Sequence, residues 1–222
     1  MFFYLISKSG RKYAIILGNM EEKRNLKGDE QKRTLRMIAG IGNPSEEYRL
    51  TYHNAGLLFL SFLEKKISTE NRLRPHSSDV FAYVKKEGFP VLVSSLLFMN
   101  ESGMAVGRAS RFFRVPPEAL LVAHDDADLP LGEYQLAFDK GAAGHNGVRS
   151  IIEELGTQSF WRLRFGIRKE TTEKAGRKKA EAFVLKKINK EDISILVDTF
   201  RTAVKHESLF EPFRINGETR GE

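Results

Sequence analysis

Leu121-Val122-Ala123-His124-Asp125-Asp126-Ala127-Asp128-Leu129-Pro130 starts as an apolar run and turns at once into a cluster of ionisable groups. A short apolar run preceded by Pro116-Pro117 reads as a buried strand. In α/β sheets the carboxyl ends of such strands open onto the cleft where ligands bind. Two further apolar runs end in the same way. Ile38-Ala39-Gly40-Ile41-Gly42 leads into Asn43-Pro44, and Val91-Leu92-Val93-Ser94-Ser95-Leu96-Leu97 leads into Phe98-Met99-Asn100. A fourth polar pair, His145-Asn146, sits in a glycine-rich turn before a helix. Strand ends that deliver Asn, Asn, Asp and His to one place point to hydrolytic chemistry without a metal.

Working outward, strands and helices alternate from Leu35 onward. The pattern predicts strands over 35–41, 80–85, 91–96, 120–124, 134–138 and 161–167. Residues 80–85 and 91–96 form a hairpin around Glu87-Gly88-Phe89-Pro90. Helices are expected over 54–66, with Leu57, Leu58, Phe62 and Ile67 as the apolar stripe, and over 102–113. A third starts near Gly144, buries Val148, Ile151, Ile152 and Leu155 and stops at Gly156. A fourth runs over 190–209 on Ile193, Leu196, Val197, Phe200, Ala203 and Val204. Helices separated by short strands imply an α/β fold: one globular domain, a mixed β-sheet, helices on both faces. Residues 169–179 are charged, lack apolar pattern and read as a mobile loop.

The first 34 residues differ from the rest. Residues 1–20 carry Lys8, Arg11 and Lys12 but no acid, and a polar run without periodicity follows. Two readings stand: a mitochondrial-type targeting segment, or an extra hairpin in which Phe2–Ile6 and Tyr13–Leu17 flank a turn. The domain plan is therefore an extension over 1–34, a catalytic domain over 35–212 and a polar tail over 213–222, in a cytoplasmic or mitochondrial protein. The chain of 222 residues has no cysteine, which excludes disulfides, thiol nucleophiles and Cys-ligated zinc. No run is apolar and long enough to span a bilayer. A formal charge of +7 favours a polyanionic partner such as nucleic acid.

Several polar residues suit catalysis. His53, at a loop-to-helix junction, serves as a cap, a core residue or a general base. As a base it needs a partner that fixes its tautomer, and Asp125 or Asp128 can supply one. Asn100 or Asn43 then offers an amide donor to an oxyanion. His124, Asp125, Asp126 and Asp128 are also metal-ligand types, but neighbours on a strand face opposite ways and chelate poorly together. No serine stands in a nucleophile-elbow pattern. Residues 140–147 form a turn that either caps a helix or lets a backbone approach a phosphate. Arg162, Arg164, Arg168 and Lys169 are either phosphate ligands or a solvated strand edge.

Taken together, these segments resemble the bacterial-type peptidyl-tRNA hydrolase family. The matching pieces are Gly40-Ile41-Gly42-Asn43-Pro44 with Glu47-Tyr48, His53-Asn54-Ala55-Gly56, Phe98-Met99-Asn100-Glu101-Ser102-Gly103, Val122-Ala123-His124-Asp125 with Asp128-Leu129-Pro130, Gly144-His145-Asn146-Gly147, and Arg162-Leu163-Arg164-Phe165-Gly166-Ile167. The resemblance implies a twisted mixed sheet, a typically monomeric protein, and hydrolysis of the ester joining a peptide to the 3′ end of tRNA. It implies no cofactor and no metal. It makes His53 the base that activates water, Asp125 its orienting partner and Asn100 the holder of the scissile carbonyl. Asn43 positions the substrate, Asn146 places water or peptide backbone, and Tyr48 and Met99 line the cleft. Phosphate contact falls to Arg164, Lys140 and Arg149, because Gln135 and Ala137 stand where the family usually carries lysines. The competing expectations are a noncatalytic RNA-binding relative of the organellar splicing-factor type and a small-molecule esterase.

Overall fold

The computed structural model describes residues 35–67, 80–169 and 183–213, together with the backbone of strands β1 (Phe3–Ile6), β2 (Lys12–Ile15) and β4 (Arg74–Pro75). Strands β1 and β2 pair antiparallel, Phe3 opposite Ile15, as the hairpin reading of the first residues expects. Of the loop expected over 169–179 and the tail expected over 213–222, all but Lys169 and Phe213 lie outside the described residues.

The main sheet is built from β3 (Met37–Gly40), β5 (Phe81–Val84), β6 (Val91–Ser95), β7 (Leu120–Pro130), β8 (Tyr134–Phe138) and β9 (Trp161–Arg168), with β4 as a two-residue edge. Its order is β4-β5-β6-β3-β7-β9-β8. The inner strands β6, β3, β7 and β9 run parallel, and the outer pairings are antiparallel. Parallel neighbours require crossover connections. Helices α1 (Ala55–Ile67), α2 (Ser102–Phe113) and α3 (Asn146–Leu155) lie in them, and α4 (Lys190–His206) packs on the same face as α1. No described helix is long and apolar enough to cross a membrane.

Strand alternation splits the core into two layers. Ile38, Leu121, Ala123, Leu163 and Phe165 face α1 and α4. Met37, Ala39, Leu120 and Val122 face α2 and α3. Both faces of the inner strands are thus dry, which is why they read as continuous apolar runs rather than alternating ones.

Three details depart from the pattern reading. Helix α1 buries Phe59, Leu60, Leu63 and Ile67, whereas Leu57, Leu58 and Phe62 are only partly covered. Its sequence is apolar nearly all round, so periodicity alone does not choose the inward side. Strand β7 does not stop at His124 but carries the acidic cluster within it, with a register shift between Asp126 and Pro130. Strand β9 is not an edge, because β8 pairs along its outer side, and Arg162 is fully buried.

One close approach sets the site. A Cβ built on Gly56 would lie 2.1 Å from the carbonyl oxygen of Ala123. Helix α1 therefore meets β7 backbone to backbone. That contact brings the turn before α1, which carries His53, over the end of β7.

Candidate active site

The carboxyl ends of β3, β6 and β7 and the amino end of α3 surround a cleft of about 1020 Å³. Asn43, His53, Met99, Asn100, Asp125 and Asn146 all line it. Tyr48 does not. It closes a 3-10 turn (Glu46–Tyr48) whose carbonyl is taken by Thr51 Oγ1 at 2.9 Å, and the turn leaves it outside the lining.

His53 sits in the middle of a second 3-10 turn (Tyr52–Asn54) between two buried neighbours. Its Nδ1 lies 2.9 Å from Asp125 Oδ1. Asp125, not Asp128, is the acid that reaches it; Asp128 is exposed. Asp125 is 2 % exposed, and burial pushes its pKa up. His53 and His145 beside it outweigh burial and hold the carboxyl well below the ordinary carboxylate range. The carboxylate is therefore ionised and accepts, so His53 donates from Nδ1 and keeps the Nε2 lone pair free. Burial lowers the His53 pKa, but the charge and hydrogen bond of Asp125 prevail and raise it above 6.5. A base must be neutral to work, so the acid limb of the kcat/KM profile is expected above pH 6.5. An acid limb below that value would contradict His53 as the group.

A second imidazole completes the acid's shell. His145 caps α3: its Nδ1 accepts from the Val148 amide at 3.3 Å. The proton is thereby assigned to Nε2, which donates to the same Asp125 Oδ1 at 3.1 Å. His145 was legible as part of the glycine-rich turn, but nothing in its spacing says that it reaches Asp125 across 20 residues. His124 stays neutral, because burial, with His145 and Arg162 nearby, pushes its pKa well below the ordinary value. It donates Nδ1–H to the Asp125 carbonyl at 2.7 Å.

His53, Asp125 and His145 bring three potential ligand atoms within 4.8 Å of one another. A metal there would need the Nε2 lone pair of His145, and the α3 cap puts a proton on that atom. The hydrogen-bonded reading pairs His53 Nδ1 and His145 Nε2 with Asp125 Oδ1, and the metal reading breaks the cap. The run His124–Asp128 does not converge as a ligand set.

Amides ring the pair. Asn54 grips the backbone of Asn43 at both ends, Oδ1 accepting from its N–H at 2.7 Å and Nδ2 donating to its carbonyl at 2.9 Å. Asn43 Oδ1 accepts from the Met99 amide at 2.9 Å, which leaves its donor end for a ligand. Asn100 is exposed on the rim in the turn before α2, and Asn146 is exposed at the first position of α3.

The basic residues divide sharply. Arg164 is held by Asp126 Oδ2, with Nε at 2.6 Å, and by the side chain of Gln135. Arg162 is buried and donates to the Gly141 carbonyl at 2.8 Å. Burial pushes its pKa down to about 10, so it stays charged at neutral pH. That bond helps hold the rim segment 139–145, where Asp139 and Ala143 adopt left-handed φ of 51° and 49°. Arg149 is exposed and lines the cleft. Lys140 is exposed but outside the lining.

An α/β sheet whose strand ends hold a hydrogen-bonded His–Asp pair, a free imidazole nitrogen and a ring of amides defines a hydrolase of the general-base type. The family model described as peptidyl-tRNA hydrolase matches residues 37–212. The peptidyl-tRNA hydrolase of Desulfitobacterium hafniense (strain Y51) is 36% identical over 177 residues, covering 79% of this chain and 92% of that protein. That of Halorhodospira halophila (strain DSM 244 / SL1) is 45% identical over 133 residues, 60% of this chain and 69% of that protein. The crystal structure of peptidyl-tRNA hydrolase from Acinetobacter baumannii superposes with a TM-score of 0.69 at 30% identity, covering 79% of this chain and 87% of that one. The chain belongs to the peptidyl-tRNA hydrolase family.

Proposed function

We propose that this chain hydrolyses the ester joining a peptide to the 3′ end of tRNA, with His53 as general base, Asp125 as its orienting partner and Asn100 as oxyanion donor. The observation that carries the reading is the shared Asp125 Oδ1, which leaves His53 Nε2 as the unprotonated nitrogen facing the cleft. Water gives a proton to Nε2 as its oxygen adds to the ester carbonyl carbon. The oxyanion is met by the Asn100 amide, and one such donor contributes on the order of 3 kcal/mol in comparable sites. Collapse breaks the bond to the ribose oxygen, which takes the proton back from His53. The products are a tRNA 3′-hydroxyl and a peptide carboxylic acid, which loses the water's second proton to solvent and becomes the carboxylate. A sugar hydroxyl leaves more easily than an amine, so an imidazole base with amide donors suffices.

Asn43 and Asn146 read the substrate beside the scissile bond. An amide side chain both donates and accepts, so it matches a peptide unit on the acyl side better than a free ammonium. Met99, buried under the rim, lines the floor next to them. The protein acts as a monomer on this reading.

Arg149 is the exposed arginine of the cleft lining and the best placed for a tRNA phosphate, since Arg164 is occupied by Asp126 and Gln135, Arg162 is buried, and Arg168 is half-buried beside Glu133. Arg149→Ala is expected to raise KM several-fold with kcat unchanged and to lower the slope of log KM against log salt by roughly one. Salt titration of the two proteins checks it, and an unchanged slope removes Arg149 from the phosphate contacts.

The reading as a whole is tested by release of the N-acetyl-amino acid from N-acetyl-aminoacyl-tRNA in the presence of chelator. Chelator-resistant cleavage is expected, with unblocked aminoacyl-tRNA cleaved far more slowly. Binding of tRNA without cleavage would favour a noncatalytic RNA-binding role.

A further inference from the structure

His53 stands between two anchored neighbours in a turn that has little strength of its own. A three-residue 3-10 turn makes few internal bonds, and Thr51 at its head gives no side-chain cap. The turn's orientation is therefore set by what Tyr52 and Asn54 hold. Asn54 ties it to the end of β3 through the backbone of Asn43. Tyr52 ties it to the start of α4 and the end of β9. Its hydroxyl donates to Asp192 Oδ2 in the first turn of α4. The same oxygen pairs with Lys169, the residue after β9. The Lys169 ammonium also lies 5.9 Å from the centre of the Tyr52 ring, and the other part of that ring stacks on Phe183 with centroids 4.6 Å apart.

The backbone repeats the connection. The Tyr52 amide donates to the Lys186 carbonyl at 3.3 Å, and Ile188 donates to Leu50 at 2.8 Å. Asp192 is itself 5 % exposed and placed by the Asn189 cap, which accepts its amide at 2.8 Å. A buried carboxylate with two donors on one oxygen is a rigid acceptor. Burial and the Asp192 bond raise the Tyr52 pKa, so the phenol stays protonated and donates.

We propose that Tyr52 is a positioning residue for the reaction: the Tyr52–Asp192–Lys169 cluster holds the turn at the angle that brings His53 Nδ1 onto Asp125. The inference rests on His53 being the base. The hydroxyl touches no reacting atom. It removes the freedom of the turn to rotate about Asn54, and a displacement on the order of 1 Å at a reacting group costs on the order of 100-fold in rate.

The test is Tyr52→Phe in the full chain, which keeps the ring and its stacking and deletes only the bond to Asp192. The expected result is a kcat lowered about tenfold with KM unchanged. The acid limb of kcat/KM should also move to lower pH, because a looser contact with Asp125 gives less of the upward pull on His53. A purely stabilising tyrosine would lower the melting temperature and move neither kcat nor the limb, and that result overturns the proposal. Asp192→Asn leaves an acceptor for the hydroxyl but removes the charge that it shares with Lys169, so kcat is expected to fall in the same direction as in Tyr52→Phe. The double variant should lose no more than the larger single loss, and additive losses would remove the hydroxyl contact as the cause. His53→Ala is measured beside them: a kcat lowered less than about tenfold there defeats the base reading itself, whereas a loss of about 1000-fold in His53→Ala with a native-like Tyr52→Phe defeats only the positioning role.

Discussion

His53→Ala is expected to lower kcat on N-acetyl-aminoacyl-tRNA by about 1000-fold or more while tRNA affinity changes less than about threefold. The imidazole's Nδ1 is occupied by Asp125 and its Nε2 is the nitrogen free to take a proton from water. Its role on this reading is at water and not at phosphate, so tRNA binding is expected to be spared. Single-turnover cleavage together with a tRNA binding isotherm measures both quantities. Equal losses in the two would assign His53 to binding instead of proton transfer.

Asp125→Asn carries the second large effect, and its sign in pH is distinctive. The amide oxygen still accepts from His53 and His145, so the geometry survives, but the charge that stabilises the imidazolium is gone. A loss of roughly 100- to 10,000-fold in kcat is expected, by analogy with the same change in a serine-protease triad. The charge of Asp125 is what raises the His53 pKa against burial. With the charge removed, burial is opposed only by the hydrogen bond, and the pKa falls. The base is then neutral over a wider range, so the acid limb moves to lower pH while the plateau drops. A pH–rate profile with a lowered plateau and an unmoved limb would show that Asp125 acts on something other than His53.

A buried carboxylate kept ionised by two imidazoles is costly to maintain, and an RNA-binding surface gains nothing from it. The exposed arginine that suits a phosphate lies instead on the rim, at Arg149, three residues along α3 from Asn146.

Much of this was legible along the chain. The inner strands announced themselves because both their faces are buried, and the polar residues that break each run mark where the sheet ends and the cleft begins. Asn43, Asn100 and Asp125 follow such breaks, so their convergence was readable from the order of elements and the rule for parallel sheets, whereas Asn146 was marked by a glycine-rich turn before a helix. Helix α2 was read over Ser102–Phe113, the span it occupies, because small and apolar residues alternate there with charged ones at helical spacing. The inward side of α1 was not legible, since apolar residues ring that helix and the choice is made by the face of β7 it meets. Tyr48 was placed in the cleft by likeness alone, and the turn carrying it does not reach.

The class of fold, the family and the set of polar residues gathered at one sheet edge depend on local pattern and on order, so the chain carries them without its fold. Which acid partners His53, which side of His145 carries its proton, and which arginine is left for an anion emerge only when distant segments pack together. These are properties of contacts between residues 20, 38 or 72 positions apart. A hydrogen bond's partner depends on distances of a few ångströms across the cleft, and no local propensity encodes them.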